Sequence, residues 1–305
     1  MQIPRVSFEL FNKGHISAAR YALLSYSTDN LGDEIQSIAA RSFLPKFHAL
    51  VDRDHLAKAP LTTPHKIILN GWYSHRPENW PPSRFLDPFI TSFHVSGEIA
   101  RENVQRRPFA DRVKEQDSID YLNAHGPIGV RDYSTGAYLR QLGVPSYFSG
   151  CLTLTLSPKG VGDRLPYVCV NDLDNDVAAY VQQRCGLRII KTTHTNASVT
   201  DPAKRFELAN DLLSLYASAT FVVTSRLHCA LPCLALGTPV LFCPVAKDTY
   251  RFSGLFALLR HTTRQDLLGN RAPFDLGAPS PNPDTYRNLR DNLIERCNSF
   301  ITTSA

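Results

Sequence analysis

The stretch Phe221-Val222-Val223-Thr224-Ser225-Arg226-Leu227-His228-Cys229-Ala230-Leu231-Pro232 decides the fold. An apolar, β-branched run stops at Thr-Ser, and a guanidinium and an imidazole follow two positions apart. A second apolar segment of helical character then runs to Gly237-Thr238-Pro239. This order reads as buried strand, polar turn, helix and next strand. In open α/β sheets, ligands bind beyond the carboxyl ends of the strands. Arg226 and His228 are therefore expected at that edge, beside a helix start whose free N–H groups and positive dipole end suit an anion.

Working outward, the same alternation fills the chain. Tyr21–Tyr26 is apolar and precedes Asn30-Leu31-Gly32-Asp33, after which Ile35, Ile38, Ala39 and Phe43 share one helical face. Phe47–Val51, Lys66–Leu69, Phe89–Val95 and Ile128–Val130 read as strands, with a turn over Asn70–Tyr73. Arg112–Asn123 reads as a helix, and Ser134 or Thr135 as the cap of another that ends near Leu142. The rhythm breaks at Ser157–Pro166, which contains Gly and Pro, and then restarts: Tyr167–Val170, Asp174–Cys185, Leu187–Lys191, Ala203–Ala219, the opening stretch, and Pro239–Cys243. The expected fold is α/β, with two doubly wound Rossmann-like domains facing across a cleft. Residues 1–156 would form the N-terminal domain and 157–166 a linker. Residues 167–275 would form the C-terminal domain, and 276–305 a loop and helix packing back.

Composition narrows the function. The chain has 305 residues, 43% hydrophobic and 20% charged, which fits a globular protein. A net charge of +5 suits anionic substrates but is too mild and dispersed for nucleic acid. Seven cysteines without a C-x2-C pair read as buried, reduced thiols rather than a metal site. The N-terminus lacks an apolar signal core and no run approaches a membrane span, so a cytoplasmic location is expected, with no integral membrane segment.

Each candidate has a bland reading. Arg226 and His228 could be satisfied by a carboxylate and a carbonyl. Arg131 ends the strand Ile128–Val130, and beside Asp132 it could be a structural ion pair. The sharper reading makes it a second fork for the anion. Asn30, Gly32 and Asp33 form a turn that suits a helix cap as well as a substrate. Lys247 and Arg251 follow the strand ending at Cys243, and either alone could be a solvated cation. Trp72 and Tyr73 could stack on a sugar or merely anchor a loop. Three strand ends that present basic residues form the more telling pattern.

These motifs together resemble the polysaccharide pyruvyl transferase family. The matching segments are Asn30–Gln36, Ile128–Asp132 with Thr135 and Leu139, Gly150–Leu154, and Ser225–His228 with Gly237-Thr238-Pro239, in the family's order. The resemblance implies a fold similar to the two-domain GT-B glycosyltransferases. It also implies an activity: moving the enolpyruvyl unit of phosphoenolpyruvate onto two hydroxyls of a sugar, with release of phosphate. Carried over by motif, Arg131 and Arg226, with Ser225 and Lys247, would hold the donor, and His228 with Arg226 would be catalytic. Asn30, Gly32, Asp33, Trp72, Tyr73 and Arg251 would be candidates for substrate contact. The implied partners are phosphoenolpyruvate and a polysaccharide, glycan or lipid-linked saccharide acceptor, with no resident cofactor or metal. Where many members have a Gly-rich turn, this chain has Asn70-Gly71-Trp72-Tyr73. Two other readings compete: a GT-B glycosyltransferase using a sugar nucleotide, and a non-catalytic carbohydrate-binding or partner protein.

Overall fold

The short apolar runs become strands in the computed structural model, which describes residues 3–12, 18–100, 103, 105–159, 162–245 and 249–303. In the first half these are β1 (Ser7–Phe8), β2 (Ala22–Ser25), β3 (Ala49–Asp52), β4 (His65–Trp72), β5 (Leu86–His94), β6 (Ile128–Val130), β7 (Ser146–Phe148) and β8 (Pro158–Lys159). The second half contributes β9 (Leu165–Asn171), β10 (Arg188–Thr192), β11 (Ala219–Thr224), β12 (Val240–Phe242) and β13 (Arg260–His261). Between them lie α1 (Gly32–Arg41), α2 (Phe109–Val113), α3 (Gln116–Ala124), α4 (Tyr133–Gln141), α5 (Asn175–Cys185), α6 (Pro202–Ser218), α7 (Leu227–Ala235), α8 (Arg264–Leu268) and α9 (Arg287–Thr302).

The result is a mixed α/β fold built on parallel sheets. Strands β4, β5, β6 and β7 pair in parallel, in that order. Strand β2 pairs in parallel with β3, and a parallel bridge from Tyr21 to Lys66 ties its start to β4. The second sheet runs β10-β9-β11-β12-β13, all parallel. Strand β2 is therefore flanked by β3 on one side and β4 on the other, and β9 by β10 and β11 in the same way. The sheet order reverses between β2 and β4, and again between β9 and β11. Crevices at such reversals, at the carboxyl ends of the strands, are where doubly wound sheets bind ligands.

Among the described residues the two large sheets share no ladder, and β1 pairs antiparallel with β8 beside the expected 157–166 linker. The halves are nonetheless packed together. One apolar cluster includes Ile35 and Phe43 around α1, Leu213 and Tyr216 of α6, Leu231 of α7, and Leu293 and Ile301 of α9. Smaller clusters belong to each sheet alone, around Phe93 and Phe109 in the first and Val170 and Phe221 in the second. Across the shared face, the Arg205 guanidinium of α6 grips the Glu34 carboxylate of α1 through Nε and Nη2, with both groups almost wholly buried. All seven cysteines are unpaired, and all but Cys185 are buried. Among the described residues no helix is long and apolar enough to cross a membrane.

Three local expectations change. Asn70–Tyr73 is not a turn. Strand β4 continues to Trp72, and the polar break is a register shift between Leu69 and Gly71, with Gly71 at φ +97°. The helix expected over Arg112–Asn123 is split, because Glu115 is extended (ψ 147°) and the Arg112 guanidinium binds Glu115, Asp117 and Ser118 across the break. The cap of α4 is Asp132, whose carboxylate accepts the Thr135 N–H at 2.9 Å, rather than Ser134 or Thr135.

Candidate functional site

The carboxyl ends of both sheets open onto one cavity of about 840 Å³. From the first half it is lined by Thr28, Asp29, Asn30 and Asp33 beyond β2, by Trp72 and His75 beyond β4, and by Arg131 beyond β6. From the second half come Asp172 beyond β9, His194 beyond β10, Ser225, Arg226 and His228 beyond β11, and Arg251. The loops that meet here are stitched by backbone bonds: Leu31 N–H to the His194 carbonyl at 2.8 Å, and Asn196 N–H to the Asp29 carbonyl at 2.6 Å. Gly32 sits beneath the cavity. A Cβ there would stand 3.0 Å from His194 Nδ1 and 3.1 Å from His228 Cβ, so a larger residue would crowd both histidines.

Asp29, Asp33 and Asp172 face Arg131, Arg226 and Arg251 in this lining, so its character turns on which cations lack a close carboxylate. The Arg131 side chain is 3% exposed, and its nearest carboxylate oxygen, on Asp132, lies 3.6 Å from Nε. Neither its Nε nor its Nη2 finds a hydrogen-bond partner among the described residues. Burial pushes its pKa down, only partly countered by Asp132, and Arg251 pushes the same way. A guanidinium remains charged under such pressure, so the strain is a demand for an anion. Asp132 is committed elsewhere: its carboxylate binds His94 Nδ1 at 2.6 Å and caps α4. Arg226 is the more exposed cation. It gives Nε to Asp172 at 2.8 Å and Nη2 to Thr195 Oγ1 at 3.3 Å. Arg251 lies over the Trp72 ring, 5.5 Å from its centroid, and its Nε is also unpartnered.

Two buried imidazoles complete the wall. His228 occupies the first turn of α7, and its Nε2 has no hydrogen-bond partner among the described residues. Burial holds its pKa well below the usual histidine value, and Arg131, His194, Arg251 and Arg226 add to that effect. His194 is pushed down to about 4, chiefly by burial, with Arg226 lowering it and Asp172 opposing. Both rings are therefore neutral at neutral pH when no anion is bound beside them. A dianion arriving beside them would favour the protonated form.

The acidic side is neutralised from behind. Asp33 accepts from Arg53 Nη1 at 2.9 Å, and Arg53 also holds Asp54 through Nε and Nη2 and meets His75 Nδ1 at 2.6 Å. Burial disfavours the charge on Asp54, but Arg53 and His75 outweigh it and hold that carboxyl low. Asp172 adopts φ +50°, a left-handed conformation uncommon outside glycine though tolerated by Asp. Its carboxylate ties Thr193 Oγ1, the His194 N–H and Arg226 Nε into one unit.

Of the residues expected from sequence, Arg131, Ser225, Arg226, His228, Asn30, Asp33, Trp72 and Arg251 line this cavity, with Gly32 directly beneath. Ser225 donates its hydroxyl to the Asp172 carbonyl at 2.7 Å, so its local bond is structural. Tyr73 is a correction. It is 3% exposed and packs with Trp80, Phe93 and Phe109, because strand alternation turns it away from Trp72 and into the core. Trp72 carries Arg251 on its face, which alters the sugar-stacking expectation. Lys247 lies outside the described residues. Sequence reasoning missed Asp172, His194 and His75. The first two follow strands directly, so the rule that singled out Arg226 would have found them.

A family model described as "Polysaccharide pyruvyl transferase" matches residues 30–246. No curated protein matches. Among solved structures the chain is similar to a functionally uncharacterised protein from Klebsiella pneumoniae, at 13% identity and TM-score 0.45, covering 77% of this chain and 87% of that one. It is similar to a UDP-N-acetylglucosamine 2-epimerase at 10% identity and TM-score 0.45, covering 92% and 95%. A third likeness is to the glycotransferase of kitacinnamycin, at 11% identity and TM-score 0.36, covering 93% and 97%.

Proposed function

This chain belongs to the polysaccharide pyruvyl transferase family, and on that premise we propose that its cavity binds phosphoenolpyruvate and transfers the enolpyruvyl group to a saccharide as a ketal, releasing phosphate. The observation that carries this reading is the buried guanidinium of Arg131, whose Nε and Nη2 have no hydrogen-bond partner among the described residues and which lines the same cavity as Arg226 and Arg251. A donor with a phosphate and a carboxylate needs several fixed cations and no base pocket. Arg forks match both groups.

The chemistry then follows from the residues. The donor's negative charge raises the proton affinity of His228, so the acid is charged only when its substrate is present. His228 delivers that proton to the methylene carbon of the donor, and positive charge develops on the neighbouring carbon. One acceptor hydroxyl attacks that carbon. The bond from carbon to the phosphate oxygen breaks, and the second hydroxyl closes the ketal. Two hydroxyl protons are released in all; one restores the acid and the other leaves with phosphate. Arg131 and Arg226 hold the donor in line and stabilise charge on the leaving phosphate. The acceptor enters from the side of Asn30, Asp33 and Trp72, and the donor lies between the halves of a two-domain, GT-B-like fold, held by Arg131 from one and Arg226 from the other.

The test is product analysis. Protein incubated with phosphoenolpyruvate and a panel of free and lipid-linked saccharides should release phosphate only when an acceptor is modified. The acceptor's mass should rise by pyruvate less one water. Transfer of a glycosyl unit from a sugar nucleotide under the same conditions would reject the reading.

A further inference from the structure

We propose that His194 is a second ligand of the anionic donor, acting as a neutral imidazole locked in one tautomer, with its Nδ1–H directed at a phosphate or carboxylate oxygen. This rests on reading the cavity as an anionic-donor site. No motif of the sequence marked His194, and its position beyond β10 is separate from the Arg226–His228 segment.

The lock is a chain of buried hydrogen bonds. The Arg226 backbone N–H donates to Thr224 Oγ1 at 3.0 Å, so that hydroxyl sends its own proton to Asn171 Oδ1, 3.0 Å away. With its oxygen committed there, Asn171 turns its NH2 towards Thr192 Oγ1 at 3.0 Å and Tyr216 Oη at 3.1 Å. Tyr216 Oη lies 3.0 Å from His194 Nε2, and in the proposed tautomer the phenol donates to that nitrogen. Asn171, Thr224 and Tyr216 are all fully buried, so water does not compete along this chain. With Nε2 accepting, a neutral ring carries its proton on Nδ1.

His194 is 1% exposed and lines the cavity, yet Nδ1 has no hydrogen-bond partner among the described residues. It lies beside Gly32, 3.0 Å from where a Cβ on that residue would stand, and His228 Cβ lies 3.1 Å from the same point. A buried N–H left unpaired is costly, and an incoming oxyanion satisfies it. The ring hydrogen-bonds the donor and does not accept the acceptor's proton, because Nδ1 is already protonated. Asp172 sets the geometry by holding the His194 N–H and Arg226 Nε on one carboxylate oxygen.

Nitrogen-15 NMR of histidine-labelled protein reads the tautomer without any ligand. The expected result is a neutral His194 with the proton on Nδ1, shifting to a mixture in Tyr216→Phe. Calorimetry with inorganic phosphate and with phosphoenolpyruvate supplies the second readout. His194→Asn and Tyr216→Phe should each weaken both anions, by roughly 10- to 100-fold for the former. A resting His194 protonated on Nε2, or affinities unchanged in both folded variants, overturns the assignment. A wild type that binds phosphate through His194 but ignores phosphoenolpyruvate leaves the assignment standing and removes the donor reading. A wild type that binds neither anion overturns both.

Discussion

Replacing His228 by Gln gives a folded protein that binds phosphoenolpyruvate yet releases phosphate roughly 100- to 10,000-fold more slowly, the usual loss when a positioned acid/base is removed. Gln fills similar space and keeps hydrogen-bonding capacity, but it cannot transfer a proton. The imidazole is neutral when no anion is bound beside it, held so by burial and by Arg131, His194, Arg251 and Arg226. Its removal therefore takes no cation from the resting site. The deficit should appear in kcat, with donor affinity little changed. Steady-state phosphate release by wild type and variant, with donor affinity measured separately, checks this. A variant rate within a few fold of wild type would make His228 a positioning residue.

Replacing Arg205 by Met should destabilise the fold by about 3–5 kcal/mol at pH 7, the range for removing one partner of a buried ion pair. Glu34 would be left buried without its cation. Burial already raises its pKa in the intact protein, and Arg205 is the main opposing influence. In the variant that carboxyl climbs further. The folded form then binds a proton that the unfolded form releases, so the deficit shrinks as pH falls through the raised value. The double variant Glu34→Leu/Arg205→Met should recover most of the loss, since a well-packed apolar pair can replace a buried ionic one. Denaturant midpoints at pH 7 and pH 5 test both statements. Arg205 also donates to the carbonyls of Asn196 and Val199, so its loss loosens the loop that carries His194. A stability effect there should be accompanied by weaker anion binding.

The alternation of strand and helix was legible because buried parallel strands are short apolar runs bounded by polar turns. Val222–Thr224 and Tyr167–Val170 are such runs, and both lie in central strands of their sheet. Arg131, Arg226 and His228 were legible because they follow strands directly. The Tyr73 error has a plain cause: adjacent residues of a strand face opposite sides, and sequence alone did not fix which of Trp72 and Tyr73 faced the ligand. The shared core was not legible at all. Ile35 and Leu213 read as apolar faces of separate helices, and nothing local says that one packs against the other's half. Likewise, Arg53 and Arg205 look like ordinary surface cations until their carboxylate partners, 20 and 171 residues away, are brought to them by the fold.

Calorimetric titration of phosphoenolpyruvate tests the central claim most directly. Wild-type protein should bind it at a single site. Arg131→Ala should lose most of that affinity, and Arg131→Lys should recover only part, because an ammonium lacks the planar fork. Undiminished phosphoenolpyruvate binding in Arg131→Ala, or a wild type that ignores phosphoenolpyruvate and takes up a sugar nucleotide instead, would contradict the account.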